Sequence, residues 1–335
     1  MKVENTWPTA LPSTDVAGDF WFDEASTEFR LATGSVCLSP QPELSVIRIT
    51  GVDALAFLHG QLITNLHKLI PGQGGALSGW CTPQGRIAFL FHLLRITDGF
   101  LLIIPASESA RLLQRLRMFV LRAEVLLEEL THWSVLGLSL PDAAQIPTAL
   151  AVLPRTRNAQ SQPQSAIEAL CIDASCRYLV CGETALLMDW WRTLAVPVVG
   201  SAAWRWLDIQ QGLPRITGTQ ANTLLPQQLN LDMVDALAFD KGCYPGQEII
   251  ARLKYRGEVK SRLLRGQTTG KIEAGIRLLT TTGHVAGHVL SVVTTPAGTT
   301  DLLAVVELSA LDTAPQPESG PVIDLLFSHP PYWSR

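Results

Sequence analysis

The sequence predicts an α+β protein, with two α+β domains followed by a small antiparallel β-barrel. Three observations lead there. Between Leu44 and Leu130, strand-like runs and amphipathic helices follow one another in the order β-α-β-β-α-β, the order of a split βαβ unit. A second passage of similar character runs from about 133 to 210. From Arg262 the pattern changes to short apolar strands separated by Gly, Thr and Pro turns. A chain of 335 residues, 47% of them apolar, is long enough to build two or three such domains.

Residues 1–35 are polar and irregular and read as an N-terminal arm. "LSVIRITG" (Leu44 to Gly51) reads as a strand ending in glycine, and "VDALAFLHGQL" then carries Leu55, Phe57, Leu58 and Leu62 at helical spacing. Strands are expected near 75–80, 86–96 and 100–104, the last two joined by a turn at Thr97-Asp98-Gly99. The helix "ESARLLQRLRMFV" and a strand around "AEVLLEEL" complete the first domain, which is separated from the second near residue 130. There the strand "WSVLGLSL" leads to a helix, a polar stretch, a hairpin and the helix "ETALLMDWWRTLA". The polar stretch "RTRNAQSQPQS" (Arg155 to Ser165) has the composition of a flexible loop. The expected domains are thus an arm at 1–35, an α+β region at 36–260 and a barrel at 261–335.

Composition excludes some classes. A net charge of −4 with 17% charged residues argues against wholesale electrostatic binding of nucleic acid. The most apolar region, Ile87 to Pro105, is interrupted by His92, Arg95 and Asp98, so it does not read as a membrane span. Acidic residues follow Met1-Lys2 where a signal peptide would be apolar, and a cytoplasmic location with no membrane partner is the expectation. Cys171, Cys176 and Cys181 have a regular spacing, but "ALCIDASCRYLVCG" reads as a hairpin turning at Asp173-Ala174-Ser175 with cysteines as small strand residues. No stable metal site is expected there.

The stretch "FDKGCYPGQEIIARLKYR" (Phe239 to Arg256) has a different character. Cys243 lies in a loop shaped by Gly242, Pro245 and Gly246, two residues after Lys241 and just ahead of a helix beginning near Gln247 and Glu248. A nearby cation and a helix N-terminus both favour a thiolate. One reading makes Cys243 a reactive thiol whose pKa Lys241 lowers; the other packs it under the loop as an inert residue. Seven cations, among them Arg252, Lys254 and Arg256, stand against Glu248 and Glu258 between Lys241 and Arg265. That excess can receive an anionic ligand or an RNA backbone, or it can be a solvated face.

"KGCYPGQE", with "ARLKYRG" after it, closely resembles the K-G-C-Y-x-G-Q-E signature of the YgfZ family of folate-binding, tRNA-modifying proteins. "WRWLDIQQGLPRI" (Trp204 to Ile216), "LLPQQLNLD" (Leu224 to Asp232), "FLHGQLITNL" (Phe57 to Leu66) and "CTPQGRIAF" (Cys81 to Phe89) resemble further segments of the family, so the likeness covers residues 40 to 265. It implies the fold of the glycine cleavage T-protein, two ferredoxin-like α+β domains and a barrel around a central folate cavity. It also implies that Cys243 is the functional residue, with Lys241 beside it and Gly242, Tyr244, Gly246, Gln247 and Glu248 shaping the loop. The implied cofactor is tetrahydrofolate, with a transient iron–sulfur cluster as a further one. The implied partners are iron–sulfur client enzymes, those that thiolate tRNA among them, and direct contact with tRNA is left open.

The resemblance assigns Trp204 to folate binding. A second family tryptophan falls on Leu44, where Trp80 is a candidate substitute, and a family glutamate falls on Gln210. The T-protein's paired aspartates correspond to Phe89 and Leu90, which cannot carry acid–base chemistry, so aminomethyl transfer is the rival expectation rather than the leading one.

Overall fold

A computed structural model describes residues 20–142 and 145–333. It contains three antiparallel sheets and six helices among the described residues. The elements in chain order are α1 (Ala25–Gly34), β1 (Cys37–Pro40), β2 (Leu44–Thr50), α2 (Ala54–His59), β3 (Gly75–Cys81), β4 (Ile87–Ile96), β5 (Gly99–Pro105), α3 (Ala106–Val120), β6 (Leu126–Glu129) and β7 (Trp133–Ser139). They continue with β8 (Gln160–Gln164), β9 (Ile167–Cys171), β10 (Arg177–Glu183), α4 (Thr184–Leu194), α5 (Ser201–Gln211), α6 (Gln247–Arg256), β11 (Ser261–Thr268), β12 (Arg277–Leu279), β13 (Val285–Thr294), β14 (Thr300–Glu307), β15 (Gln316–Pro317) and β16 (Leu326–Ser328). No helix among the described residues is long and apolar enough to cross a membrane.

The chain divides into two compact units. The first takes residues 20–58, 66–77 and 91–204; the second takes 59–65, 78–90 and 205–333. Two short excursions of the N-terminal region, at 59–65 and 78–90, therefore belong with the C-terminal part.

In the first unit, one sheet has the order β1-β7-β10-β9-β8 and buries Leu136, Leu138, Tyr178 and Val180 against Trp190, Trp191 and Leu194 of α4. Another sheet has the order β3-β4-β5-β2-β6, and α3 packs on its strands β2, β5 and β6, with Leu112, Leu113 and Leu116 at helical spacing on the buried side of the helix. The hairpin of β9 and β10 turns where the sequence predicts, at Asp173–Ser175. Cys171, Cys176 and Cys181 are buried on it, and burial pushes the Cys171 thiol up to about 12. Among the described residues no three His, Cys, Asp or Glu side chains lie together where they could hold a metal ion.

Four local expectations change. The arm contains α1, anchored because the buried Glu28 carboxylate accepts N–H groups of Phe22 at 2.5 Å, Asp23 at 2.9 Å and Gly200 at 2.6 Å; residues 1–19 of that arm lie outside the described ones. The helix expected over 52–62 stops at His59, before Gly60, a poor helix former. The polar stretch at 155–165 is not a loop throughout: β8 pairs with β9, and the amides of Gln160 and Gln162 bond the two oxygens of Glu168. The helix expected after β7 is reduced to a 3₁₀ turn at Thr148–Leu150 that follows Pro147; residues 143–144 are outside the described ones.

The C-terminal sheet has the order β15-β12-β13-β14-β11-β16 and its own core of Leu264, Leu278, Val289, Leu302, Ala304 and Val306. Its terminal strands, β15 and β16, do not pair with each other among the described residues. The edge strands are only two and three residues long, and Pro317 lacks a ladder donor.

Candidate functional site at the Lys241–Arg256 loop and helix

Three separated sequence motifs meet in the second unit around the Cys243 loop. Lys241 Nζ donates to the carbonyl oxygens of His59 at 2.5 Å, Leu62 at 2.6 Å and Thr64 at 3.0 Å. The segment that leaves α2 early thus supplies three acceptors to one ammonium. The Ala238 N–H donates to Ile63 O at 2.9 Å, and Thr64 Oγ1 lies 2.7 Å from Ala236 O, so the segment is tied to the approach of the loop as well.

The 81–89 motif meets the other end of the loop. Gly246 has φ +80°, and a Cβ there would stand 2.5 Å from both Gly85 Cα and Thr82 O. Only glycine fits, because the site demands both the left-handed conformation and the close approach of a second backbone. From there α6 begins at Gln247, and the "PQQLNLD" motif holds it: Gln227 Nε2 donates to Ile250 O at 2.8 Å, while Asp232 pairs with Arg262 at 2.6 and 3.0 Å.

Within the loop, Gln247 Nε2 donates to Lys241 O at 3.3 Å. Tyr244 is buried, with its hydroxyl 3.4 Å from Ala238 O, and burial raises its phenol pKa. Glu248 is exposed in the first turn of α6, where a carboxylate complements the helix dipole. Gly242 and Cys243 are exposed. The other five cysteines are buried, so Cys243 is the single exposed thiol of the chain's six.

The Lys241 ammonium is directed to backbone carbonyls. An ammonium has three donors, and all three are engaged with carbonyls, leaving none for a thiolate at Cys243. Burial pulls the Lys241 pKa down to about 8. Its place is that of a clamp, joining the loop to residues 59–64.

The basic excess also divides. Lys241 is turned to carbonyls, Arg262 is paired with Asp232, and Arg265 Nη1 donates to Gln210 O at 3.3 Å. Arg252, Lys254, Arg256 and Lys260 are exposed. Lys254 Nζ lies 3.7 Å from the centroid of the Phe239 ring and 5.7 Å from that of Tyr255.

Each residue expected to hold folate has partners within its own unit. Trp204 is 1% exposed in the first unit, where it packs on Gly137 so closely that a Cβ there would lie 2.7 Å from the indole. The Arg177 guanidinium covers it at 4.9 Å. Its Nε1 is buried without a hydrogen-bond partner among the described residues. Leu44 is half-buried at the start of β2 and brings no ring. The Gln210 amide donates to Asp301 at 2.8 Å; Trp206 and Gln267 also donate to that carboxylate, at 2.7 and 2.8 Å. Trp80 is 3% exposed, edge-on to Phe89 and bonded to Gln61 at 3.2 Å. A cavity of about 400 Å³ in the first unit, bounded by Arg48, Asp98, Trp133, Gln162 and Glu168, includes none of these residues.

Sequence reasoning did not anticipate the carbonyls of His59, Leu62 and Thr64 or the role of Gln227. The only available signal was that "FLHGQLITNL" and "LLPQQLNLD" are motifs at all; backbone acceptors have no residue-type signature.

No protein-family model matches the chain. It is 31% identical over 255 aligned positions to the tRNA-modifying protein YgfZ of Edwardsiella ictaluri, covering 68% of this chain and 75% of that one. It is 26% identical to the YgfZ of Colwellia psychrerythraea, over 66% and 68% of the two chains. The glycine cleavage system aminomethyltransferase T of Bartonella henselae shares the fold, with a TM-score of 0.73 over 95% of this chain and 90% of that one at 18% identity. The convergence of the "KGCYPGQE", "FLHGQLITNL" and "CTPQGRIAF" segments on one loop thus has its counterpart in overall sequence, and the chain belongs to the family of the tRNA-modifying protein YgfZ.

Proposed function

We propose that this chain supports tRNA modification as an accessory factor for iron–sulfur enzymes that thiolate tRNA, acting through Cys243. The observation that carries this reading is the single exposed thiol, held on a loop that is immobilised from beneath by Lys241, Gly246 and Gln247. A structural cysteine has no use for exposure, and a loop with no task has no use for so many restraints.

Exposed thiols ligate metals or exchange sulfur. Iron–sulfur clusters are commonly held by four thiolates, whereas this chain offers one accessible thiol. That donor set does not fit a resident cluster and favours exchange. The Cys243 thiolate attacks one sulfur of a partner's disulfide or persulfide, a new S–S bond forms as the old one breaks, and the leaving sulfur keeps the electron pair and takes a proton. Family membership supports tetrahydrofolate as a ligand, and its test is a titration followed by tryptophan fluorescence in wild type and Trp204→Ala. Saturable quenching that is weakened in the variant supports folate at Trp204, and its absence removes it.

The deciding experiment is complementation of a deletion strain with wild type or Cys243→Ser, reading thiolated nucleosides in tRNA and the activity of iron–sulfur enzymes. Both readouts should fall together in the variant. Full rescue by the serine would sink the reading.

A further inference from the structure

Resting on that reading, we propose that the chain contacts RNA directly through the exposed side of α6, with Tyr255 as a stacking platform for an unpaired base and Arg252 and Arg256 as its phosphate contacts. Tyr255 is 68% exposed, an unusual place for a large aromatic ring unless something is meant to cover it. It is also held. Phe239 meets it edge-on, with ring centroids 6.4 Å apart, and the Lys254 ammonium sits against both rings, at 3.7 Å and 5.7 Å from their centroids. A ring fixed in this way loses little freedom when a base stacks on it.

Arg252, Tyr255 and Arg256 stand at positions i, i+3 and i+4, so they share one side of the helix, while Ile250 is the residue α6 buries. Neither arginine has a hydrogen-bond or ion-pair partner among the described residues. Exposed Lys260 extends the cationic stretch, and between Arg252 and Lys260 four cations face only Glu258. In a chain of net charge −4 this is a local reversal of sign. An acidic peptide would use the cations but has no need of a braced, exposed ring. A base on an aromatic face with phosphates on flanking arginines uses both.

The test is fluorescence anisotropy with a labelled, unstructured 12-nucleotide RNA, the same RNA annealed to its complement, and poly-glutamate as competitor, over a salt series. Binding should favour the single strand. Its log–log salt slope should be about −2, from roughly 0.7 per phosphate at about three contacts. Tyr255→Ala should weaken binding roughly 5-fold or more and Tyr255→Phe should restore it. The pair Arg252→Glu and Arg256→Glu should weaken it further and flatten the slope by about 1.4. Circular dichroism and thermal unfolding should show these surface variants folded as the wild type is. The proposal is overturned by the absence of saturable RNA binding, by an unchanged affinity in Tyr255→Ala, by equal affinity for the duplex, or by complete displacement with poly-glutamate. Cys243→Ser should bind RNA normally. If RNA binding is absent while Cys243→Ser still abolishes tRNA modification, this proposal fails and the thiol reading stands.

Discussion

At the scale of single residues, Cys243 and Lys241 divide tasks that adjacency in sequence would have merged. Exposure makes Cys243 the accessible thiol, and brief iodoacetamide treatment of native protein followed by peptide mass spectrometry should alkylate it alone. Cys37, Cys81, Cys171, Cys176 and Cys181, none more than 3% exposed, should label only after denaturation. Equal native labelling of any of them would contradict the packing described. Lys241 has a pH signature of its own. In the unfolded chain its amine holds a proton up to about pH 10.5, and in the fold only to about pH 8. Between those values the unfolded state carries more protons, so raising the pH favours the fold. The stability of wild type relative to Lys241→Met, measured by urea unfolding at pH 7.5 and pH 10, should therefore shift toward wild type at the higher pH. A flat difference would show that the clamp is not buried as described.

At the scale of elements, the loop before α6 and the hairpin of β9 and β10 show what holds each in place. Gly246→Ala combines a left-handed residue with a Cβ 2.5 Å from neighbouring backbone. It should cost at least about 1–2 kcal/mol from backbone strain alone, seen as a lower unfolding midpoint. Gly298, also left-handed but with nothing within 4 Å, should lose only the strain when changed to alanine, which makes it the control. In the hairpin, Asp173 Oδ2 accepts from Arg177 Nε at 2.7 Å, with both side chains at most 1% exposed. Burial alone would raise the Asp173 pKa, but Arg177 and Ser175 outweigh it and hold the carboxyl below its usual range. Asp173→Asn leaves the guanidinium without its counter-charge and should cost about 3–5 kcal/mol. A folded-state pKa below 3.8 means that this stability is present above about pH 4 and is lost as the pH falls through the depressed value. The wild-type advantage over Asp173→Asn should accordingly shrink in acid unfolding curves.

At the scale of the whole molecule, fold similarity to an aminomethyltransferase does not bring its chemistry with it. Phe89 and Leu90 occupy the positions expected to match the T-protein's aspartates, and both are 4% exposed within the core of the second unit. Mixing the chain with aminomethylated carrier protein and tetrahydrofolate should release no ammonia above background, and sustained turnover would overturn the accessory-factor reading. The two cores, one on the β1-β7-β10-β9-β8 sheet and one on the C-terminal sheet, each close on their own apolar residues. Each unit thus has a packed interior from which to present its surface.

Much of this architecture was legible in the order of residues. Strands such as Leu44–Thr50 and Ile87–Ile96, and helices such as Ala106–Val120 and Thr184–Leu194, follow from periodicity because each buries one regular face. The Cys243 loop was legible for the opposite reason, since a cysteine among glycines and proline breaks every local packing pattern. Three things were decided only by tertiary structure. The stretch at Gln160–Gln164 becomes a strand because Glu168 on β9 accepts its glutamine amides. The C-terminal strands take the order β15-β12-β13-β14-β11-β16, which is set by the strands they meet in space and not by their order in the chain. Lys241 turns to the carbonyls of His59, Leu62 and Thr64 instead of the thiol two residues away. Backbone acceptors brought in from nearly 180 residues away leave no trace in side-chain type, so an ammonium's choice among them can be read only once the chain has folded.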